Sequence, residues 1–455
     1  MNDLHIIVLA AGKGKRMRSR LPKVLQPVAG KPMLGHVLDA ASQLAPAGIH
    51  VVYGHGGDQV QATFAGQALH WVHQAEQRGT GHAVAQALPT VPDQGRLLVL
   101  YGDTPLVDPE ALKALLLPAQ EALAVLTVEL ADPTGYGRIQ RENGRFVAII
   151  EQADANAAQR AINEVNTGIM AGPTALFKRF LAEGEQANAQ GEWYLTDIVA
   201  AAVASGQEVA TASSSDPDSL RGANDRAQLA DLERLCQRRL ASKLLEAGVS
   251  MADPARFDLR GRLKCGQDVW IDSNVVVEGN CRLGDGCQIG PFVRLKNVDL
   301  AAGTVVESHS SLEGVHTSGA CQIGPFARLR PGTELAEGAR IGNFVETKNA
   351  RFGEHSKANH LSYIGDAELG TAVNIGAGTI TCNYDGANKH RTVIGDRAFI
   401  GSGSQLVAPV TVGAGATVGA GTTLTRTAPD GELTVARSRQ VTVPGWKRPQ
   451  KTAPK

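Results

Sequence analysis

A dense group of basic residues follows the first apolar run of the sequence. The stretch LAAGKGKRMRSRLPK at 9–23 holds six bases within eleven residues: Lys13, Lys15, Arg16, Arg18, Arg20 and Lys23. Gly12 and Gly14 let the backbone approach a ligand, and their amides are available to oxyanions. A basic cluster at the end of a buried strand indicates a polyphosphate site, and a solvated basic loop is the alternative. The pattern is not a P-loop, which needs G-x-x-x-x-G-K-[ST]. It is not a dinucleotide fingerprint either, because Met17 stands where the third glycine should be.

A single carboxylate, Asp103, ends the apolar run LLVLYGD at 97–103. In α/β proteins ligands bind at the edge of the sheet where such strands end. Mg²⁺ in phosphate sites takes one or two protein oxygens, so Asp103 is a candidate ligand. The alternative is a turn-forming aspartate before Thr-Pro, and the residue alone does not decide between them.

A second group of candidate residues surrounds His360 in FGEHSKANHLSYIGD at 352–366, which also contains Tyr363. Arg330 and Lys348 precede it in nearby turns. An amine must lose a proton before it can attack an acyl group, and histidine has the pKa range for that task. One imidazole among bases that could hold a phosphate therefore suits acyl transfer to an amine. A surface histidine is the alternative, since the chain has 12 histidines.

Residues 1–222 would position the first group. Apolar runs at 5–12, 49–54 and 97–103 predict buried strands, and the stretch 32–44 predicts an amphipathic helix. This alternation predicts a mainly parallel sheet with helices on both faces. Residues 224–247 predict one long helix with an apolar stripe, capped by Asn224 or Asp225 and ended by Gly248.

From about residue 265 aliphatic residues recur every six positions, which neither a helix nor an ordinary strand explains. The period is the hexapeptide signature of a parallel β-helix with about eight coils of 18 residues. Cys281, Cys287 and Cys321 fall in small inward-facing slots, which predicts a structural role. The hexad count breaks at 313–322 and at 382–393, and both breaks predict loops that leave a corner. The hexad positions are Ile271, Val277, Leu283, Ile289, Leu295, Leu300, Val306, Leu312, Ile323, Leu329, Leu335, Ile341, Ile394, Ile400, Leu406, Val412, Val418 and Leu424.

The 455 residues exceed one ordinary core, and the 43% hydrophobic composition is that of a globular protein. With 45 basic and 45 acidic residues, the net charge gives no global attraction to nucleic acid or to an anionic membrane. No apolar stretch approaches membrane-spanning length and no C-x-x-C pair occurs. These features predict a cytoplasmic protein that binds neither nucleic acid nor membrane.

The motifs LAAGKGKRM, LPKVL, QRGTGHAV, YGDTPL, GYGRI and VNTGI, followed by a hexapeptide β-helix, closely resemble the GlmU family. Its members are bifunctional N-acetylglucosamine-1-phosphate uridyltransferases and glucosamine-1-phosphate N-acetyltransferases. The resemblance covers essentially the whole chain. It implies a Rossmann-like nucleotidyltransferase domain at 1–223, a linker helix at 224–248, and a left-handed β-helix acetyltransferase domain with a polar tail at 249–455. It also implies a homotrimer that feeds peptidoglycan and lipopolysaccharide synthesis.

For the first half, the resemblance implies a site for UTP, N-acetylglucosamine 1-phosphate and Mg²⁺. Lys23 and Arg16 would meet the phosphates, and Asp103 and Asn224 would bind Mg²⁺. Gln74, Gly79 and Thr80 would surround uracil. Gly137, Glu151 and Asn166 would hold the sugar. The remaining implied contacts are Leu9, Ala10, Ala11, Gly12, Tyr101 and Gly102.

For the second half, the resemblance makes His360 the general base that acts on glucosamine 1-phosphate. Arg330 and Lys348 would bind the sugar phosphate, and Tyr363 and Asn374 would position the sugar. The implied acetyl-CoA contacts are Ala377, Asn383, Tyr384, Ser402, Ala420 and Arg437.

Two other functions remain alternatives. One is a pyrophosphorylase whose β-helix serves only oligomerisation or regulation, against which His360, Lys348 and the loop with Asn383 and Tyr384 count. The other is a non-enzymatic nucleotide-sensing subunit, against which the intact Lys23, Asp103 and Asn224 count.

Overall fold

The computed structural model describes residues 3–183 and 193–449. The chain divides into two compact units, Met1–Arg239 and Leu240–Lys455. The division falls inside one long helix, and each unit has a hydrophobic core of its own.

A mixed sheet of nine strands forms the centre of the first unit, as far as its residues are described. The strands of this unit are β1 Leu4–Ala10, β2 Pro27–Val28, β3 Lys31–Pro32, β4 Gly48–Tyr53, β5 His70–His73, β6 Arg96–Tyr101, β7 Leu123–Glu129, β8 Arg138–Glu142, β9 Arg145–Ile150, β10 Glu164–Pro173 and β11 Val209–Ser214. The sheet order is β11-β7-β10-β6-β1-β4-β5, with β8 and β9 beside β10 and with β2 and β3 as a separate pair. β10 runs antiparallel to both of its neighbours, whereas β1 pairs in parallel with β4 and β6. The carboxyl ends of β1, β4, β5 and β6 therefore share one edge of the sheet.

Helices cover both faces of this sheet, as the alternating pattern predicts. The helices are α1 Met33–Ser42, α2 Gly57–Thr63, α3 Thr80–Ala87, α4 Pro109–Leu116, α5 Ala157–Arg160, α6 Thr174–Glu183, α7 Asp197–Ala204 and α8 Arg226–Glu246. Successive β1 side chains enter different cores: Ile6 and Val8 pack with α1 and α4, and Ile7 packs with α3, α6 and α7. The predicted α/β architecture is confirmed.

The long helix α8 begins and ends with the predicted signals. The Asp225 side chain accepts a hydrogen bond from the Gln228 amide at 2.9 Å, which caps the first turn. At the other end Gly248 has a φ of 94°, and Val249 N donates to Leu244 O at 3.0 Å. Such a left-handed residue with a six-to-one hydrogen bond is a Schellman ending, which favours glycine.

The second unit is the parallel β-helix that the hexapeptide repeat predicts, and it is consistent with the left-handed type that the family resemblance implies. One face is a sheet of eleven described strands: Ser250–Met251, Trp270–Ile271, Gln288–Ile289, Val305–Val306, Gln322–Ile323, Arg340–Asn343, Lys357–His360, Asn374–Ile375, Phe399–Ile400, Thr417–Val418 and Leu433–Thr434. The other strands form a second sheet: Phe257–Cys265, Val275–Leu283, Arg294–Lys296, Asp299–Leu300, Ser311–Glu313, Val315–Thr317, Arg328–Leu329, Thr333–Leu335, Glu346–Phe352, Tyr363–Leu369, Ile380–Cys382, Thr392–Ile394, Gln405–Val407, Val410–Val412 and Thr423–Leu424.

All the predicted inward aliphatic residues are buried, and none is more than 3% exposed. Cys281, Cys287 and Cys321 are buried in the same core, where desolvation raises the pKa of each thiol. They are packing residues, as the repeat predicts.

Only one of the two breaks in the hexad count is a loop. At 313–322 the expectation of a loop is wrong, because Thr317 faces inward at 2% exposure and its strand pairs with the next coil. The slot is kept and only its aliphatic residue is missing. At 382–393 a loop does leave the β-helix. Asn374 pairs with Phe399, 25 positions on, whereas Phe399 pairs with Thr417, 18 positions on.

The expected polar tail begins after Thr434. Residues 435–449 contain no helix or strand, and the last six residues of the expected tail lie outside the described part of the chain. Among the described residues, no helix combines the length and the apolar character that crossing a bilayer requires.

Candidate active sites

A cavity of about 260 Å³ lies at the carboxyl ends of the parallel strands of the first unit. Ten of the predicted nucleotide residues line it: Leu9, Ala10, Ala11, Gly12, Lys23, Gln74, Gly79, Thr80, Tyr101 and Asp103. These residues come from the ends of β1, β5 and β6 and from the turns that follow them. The fold thus gathers segments that lie almost 100 positions apart.

The Lys23 ammonium group joins the two predicted metal ligands. Its Nζ donates to Asn224 Oδ1 at 2.7 Å and forms an ion pair with the Asp103 carboxylate. The side chain of Lys23 is 11% exposed, so the pair is shielded from water. Ala223 N donates to Asp103 O at 3.4 Å, which brings Asn224 to the end of β6.

This arrangement fits a divalent cation. The Asp103 carboxylate and the Asn224 amide oxygen converge on a single positive charge, here the ammonium group of Lys23. Carboxylate and amide oxygens are also the donors that Mg²⁺ accepts. Asp103 and Asn224 are therefore suited to hold Mg²⁺ next to bound phosphates.

The glycine-rich loop is held tightly over Lys23. Gly14 has a φ of 56°, and a Cβ atom at this position would lie 2.6 Å from the Cβ of Lys23. Arg226, at the start of α8, anchors the same loop by donating to Met17 O at 3.1 Å and to Gln26 Oε1 at 2.8 Å. Glycine at position 14 is thus required by both the backbone angle and the space.

The opposite wall of the cavity is the start of α3. Gly79 has a φ of 113°, and a Cβ atom there would lie 2.2 Å from the carbonyl oxygen of Trp193. Thr80 Oγ1 accepts a hydrogen bond from Leu195 N at 2.9 Å. Burial and the Asp103 charge raise the pKa of Tyr101, so its phenol stays protonated. This wall is rigid and largely neutral.

The three predicted sugar residues lie together but outside the lining of this cavity. Asn166 N donates to Gly137 O at 2.8 Å. A Cβ atom on Gly137 would lie 3.2 Å from the Glu151 carboxylate, so these two residues are in contact range. Burial and the charges of Asp154 and Asp197 raise the pKa of Glu151.

Besides the three sugar residues, the predicted residues Arg16, Gly102 and Asn224 are not among those that line the cavity. Arg16 is exposed on a short 3₁₀ turn, and Gly102 contributes through its backbone, donating to Leu9 O at 2.9 Å. Sequence reasoning missed four lining residues, Val24, Gln77, Ala83 and Tyr194. Gln77 and Ala83 lie within a few residues of Gln74 and Thr80, which is the signal that could have found them.

In the second unit, four predicted residues occupy the same corner of successive coils. His360, Ala377, Ser402 and Ala420 each lie two positions after the inward residue of their coil. Those inward residues are Ala358, Ile375, Ile400 and Val418, all buried. Gly403 N donates to Ala377 O and Gly421 N donates to Ser402 O, both at 2.8 Å, which stacks the coils. Arg437 donates to Ala420 O and extends the series.

The residue type at the next corner position, three residues after the inward one, changes along the β-helix at the coil of His360. In the four preceding coils it holds an exposed aromatic residue, in the His360 coil it holds an exposed leucine, and in the three following coils it holds glycine. The series runs Phe292, His309, Phe326, Phe344, Leu361, Gly378, Gly403 and Gly421. The first four rings stack at centroid distances of 4.7–5.4 Å. We refer to Phe292, His309, Phe326, Phe344 and Leu361 as the aromatic ridge, and the ridge ends beside His360.

His360 has a polar partner that sequence reasoning missed. Its Nδ1 lies 3.0 Å from the Oδ1 of Asn343, which pairs with it in the neighbouring strand. An amide oxygen only accepts, so Nδ1 carries the proton and Nε2 is left as the acceptor. This is the tautomer that a general base requires.

Three cations, Arg330, Lys348 and Lys389, lie close to one another in the second unit. Arg330 donates to Glu346 Oε1 at 3.0 Å, and Glu346 pairs with Tyr363 in the next strand. The pKa of Lys348 is lowered, mainly by the neighbouring Lys389 of the loop. Two ammonium groups this close favour an anion between them. Sequence reasoning did not include Lys389.

The remaining residues predicted for acetyl transfer lie on the strands that follow His360 and on the loop at 382–393. The ring of Tyr363 lies over Gly365, where a Cβ atom would meet its Oη at 2.3 Å. Asn374 pairs with Lys357 one coil after His360. Asn383 donates to Asp366, and the Tyr384 side chain is 61% exposed on the loop. The predicted acetyl-transfer residues are thus spread along one run of coils and its loop.

Two family models match the two units separately. The model of the MobA-like NTP transferase domain matches residues 6–165. The model of the bacterial transferase hexapeptide (six repeats) matches residues 263–297 and 391–426.

Similar proteins extend over almost the full chain. The bifunctional protein GlmU of Alkalilimnicola ehrlichii is 58% identical over 447 residues, covering 98% of this chain and 96% of the relative. The bifunctional protein GlmU of Stenotrophomonas maltophilia is 58% identical, covering 98% and 99%. That of Xanthomonas axonopodis is 59% identical over 453 residues, covering 99% of each chain. The chain therefore belongs to the GlmU family of bifunctional enzymes, with a nucleotidyltransferase unit followed by a hexapeptide transferase unit.

Proposed function

We propose that this chain makes UDP-N-acetylglucosamine in two steps. The second unit transfers an acetyl group from acetyl-CoA to glucosamine 1-phosphate. The first unit then joins the resulting N-acetylglucosamine 1-phosphate to UTP and releases pyrophosphate. The observation that carries this proposal is the pairing of two separate sites, one around Lys23 and Asp103 and one around His360, in a member of a bifunctional family.

Uridyl transfer needs no general base, because the attacking oxygen of the sugar phosphate is already an anion. Lys23 and Arg16 offset the charge of the two phosphates as the oxygen attacks the α-phosphorus and pyrophosphate leaves. A Mg²⁺ ion held by Asp103 and Asn224 would supply further charge neutralisation. Gly137, Glu151 and Asn166 hold the sugar, with Tyr101 and Gly102 beside the phosphates. The lining by Leu9, Ala10, Ala11 and Gly12 supports backbone contacts to the nucleotide.

Acetyl transfer needs a base, because the substrate amine is protonated in water. His360 Nε2 first takes one proton from the ammonium group, and the freed nitrogen then attacks the thioester carbonyl. The C–S bond breaks, and the second proton lost by the nitrogen goes to the departing CoA thiolate. Asn343 positions the imidazole, which the 3.0 Å contact supports. Arg330, Lys348 and Lys389 bind the phosphate of the sugar, and Tyr363 and Asn374 contact the sugar ring.

Acetyl-CoA binds along the corner of the coils that follow His360, which we call the acetyl-CoA track. Glycines replace the ridge side chains in these coils, so an extended ligand has room along the corner. Ala377, Ser402 and Ala420 line the track at successive coils, and Arg437 lies at its far end. Asn383 and Tyr384 approach it from the loop. The thioester would then lie next to His360.

The proposed functional domains keep the boundaries expected from the sequence. Residues 1–223 hold uridyl transfer, 224–248 form the linker helix, and 249–455 hold acetyl transfer. The observed division at 239–240, inside α8, supports a boundary in this region. A fragment of residues 1–247 is expected to keep uridyl transfer and to lose acetyl transfer.

We further propose a homotrimer in the cytoplasm. Hexapeptide repeats favour oligomers, and the exposed aromatic ridge offers an apolar surface that a second copy can bury. The six free cysteines support a reducing compartment. Sedimentation of the wild type and of Phe326→Glu tests the assembly, and a trimeric Phe326→Glu variant would place the interface elsewhere.

Two assays on one purified sample test the proposed function. The first measures free thiol released from acetyl-CoA in the presence of glucosamine 1-phosphate. The second measures pyrophosphate released from UTP in the presence of N-acetylglucosamine 1-phosphate. Activity in both is expected. Pyrophosphate release without thiol release would instead establish the alternative of a pyrophosphorylase with a structural β-helix.

A further inference from the structure

The Gln74 side chain in the nucleotide cavity is fixed by two acceptors. The residue is 2% exposed. Its Nε2 donates to Gly79 O at 3.2 Å and lies 3.0 Å from Nδ1 of His82. His82 is half-buried on the first turn of α3, and the amide nitrogen of the exposed Gln86 side chain lies 3.3 Å from its Nε2.

These contacts use both hydrogens of the Gln74 amide. A primary amide has two N–H donors and one carbonyl oxygen. The carbonyl of Gly79 can only accept, so the NH₂ group must face it. Nδ1 of His82 takes the second hydrogen, so the imidazole carries its proton on Nε2. The exposed Gln86 amide then has to turn its oxygen, rather than its nitrogen, towards that proton. The Gln74 amide is thus held in one of its two possible orientations.

The Gln74 oxygen is left for the ligand. Among the described residues no group donates to Oε1, and this atom is not sealed from the cavity that Gln74 lines. A buried acceptor that faces a binding cavity requires a donor from the ligand, because leaving it unpaired is costly. Uracil offers such a donor at N3–H, whereas N3 of cytosine is an acceptor.

We propose that His82 is a positioning residue that sets the choice of uracil over cytosine, by fixing the Gln74 amide with its oxygen towards the base. This inference rests on the proposed uridyl transfer. It assigns His82 no contact with substrate or with the reacting atoms. Without the imidazole acceptor, one of the two constraints on the amide is lost. The flipped amide, with NH₂ towards the base, then becomes accessible and suits cytosine.

The test compares UTP with CTP in full-length protein. The ratio of kcat/KM for the two nucleotides is measured by pyrophosphate release, with N-acetylglucosamine 1-phosphate as the second substrate. His82→Leu removes the acceptor and is expected to lower the UTP-to-CTP ratio by about twofold to tenfold, the range of one neutral hydrogen bond. His82→Asn keeps an oxygen at the position of Nδ1 and should restore most of the ratio. Gln86→Leu is the matched control, because it touches His82 but not Gln74, and it should keep the wild-type ratio.

Several outcomes would overturn the inference. An unchanged ratio in an active His82→Leu protein would show that His82 does not set the choice of base. If that variant is too slow to assay, dissociation constants of UTP and CTP are measured instead, and an equal loss for both nucleotides is contrary to the inference. Wild-type protein without uridyl transfer would contradict the proposed function itself, which keeps the two failures distinct.

Discussion

The ammonium group of Lys23 donates to the Asn224 side-chain oxygen at 2.7 Å, although 201 positions separate the two residues. The contact joins the turn after the glycine-rich loop to the segment that precedes α8. The carboxylate of Asp103 meets the same ammonium group. Together the three residues form a compact charged centre on one side of the nucleotide cavity.

This centre predicts a selective loss on substitution of Asp103. Asp103→Ala removes both the partner of Lys23 and a Mg²⁺ ligand, so uridyl transfer should fall below detection. Acetyl transfer should persist, because Asp103 belongs to the other site. Asp103→Asn is the matched variant, since it keeps the shape and removes the charge, and it should be nearly as inactive. Equal loss of both activities in folded protein would instead indicate a structural role for Asp103.

Replacement of His360 by alanine should affect only acetyl transfer. A general base typically contributes about 10²–10⁴-fold to the rate, so His360→Ala should lower kcat by that order. Raising the pH should partly restore the rate, because the free amine is then present in solution. Asn343→Leu should lower kcat less, since it frees the ring but keeps the base. Acetyl transfer by His360→Ala at the wild-type rate and neutral pH is the result that removes His360 from the mechanism.

The conformation of Gly79 predicts that no side chain is tolerated there. Gly79→Ala would place a Cβ atom 2.2 Å from the Trp193 carbonyl oxygen at a φ of 113°. Such strain costs about 1–3 kcal/mol, so kcat/KM for UTP should fall by at least about fivefold. Gly66→Ala is the control, because nothing lies within 4 Å of its added Cβ. Equal nucleotide kinetics for the two variants would show that the turn can move.

A buried histidine predicts acid sensitivity of the first unit. His50 is 1% exposed, lies 3.2 Å from a nitrogen of His5 and stacks on His70. Burial and the two neighbouring imidazoles lower the pKa of His50 from 6.5 to about 4. Stability is therefore fully present above pH 6.5 and is lost as the pH falls towards 4, by up to about 3 kcal/mol.

Amide hydrogen exchange in β1 and β4 measures this loss of stability. Protection should decrease between about pH 7 and about pH 5 in the wild type and less in His50→Gln. The same slope in both proteins would assign the acid sensitivity to other groups, of which His5, His70 and Asp3 face this cluster.

Much of the fold follows from local sequence patterns. The inward residues of the β-helix and both ends of α8 are set by residue types at fixed spacings. The pattern is obscured where the inward slot holds Thr317, Thr347, Ala358 or Thr381, all buried. The fold keeps its period there because small or hydroxyl side chains still fit the corner, although they carry no aliphatic signal.

The sites are less accessible to prediction because their contacts are non-local. No spacing pairs Asn343 with His360, since the two meet only through the register of adjacent coils. Likewise, nothing near Lys348 in the sequence indicates Lys389, which arrives on the loop. The shared corner position of His360, Ala377, Ser402 and Ala420, in contrast, can be predicted from the sequence once Ala358 is counted as a hexad position.

The central claim is that two independent sites in this chain act in sequence, and a mixture of two variants tests it most directly. Asp103→Ala and His360→Ala are supplied with glucosamine 1-phosphate, acetyl-CoA, UTP and Mg²⁺, and UDP-N-acetylglucosamine is measured. Neither variant alone should form more than a trace of it. An equal mixture should form it readily, because His360→Ala uses the N-acetylglucosamine 1-phosphate that Asp103→Ala releases. A mixture that forms no product under conditions where the wild type does would contradict the account.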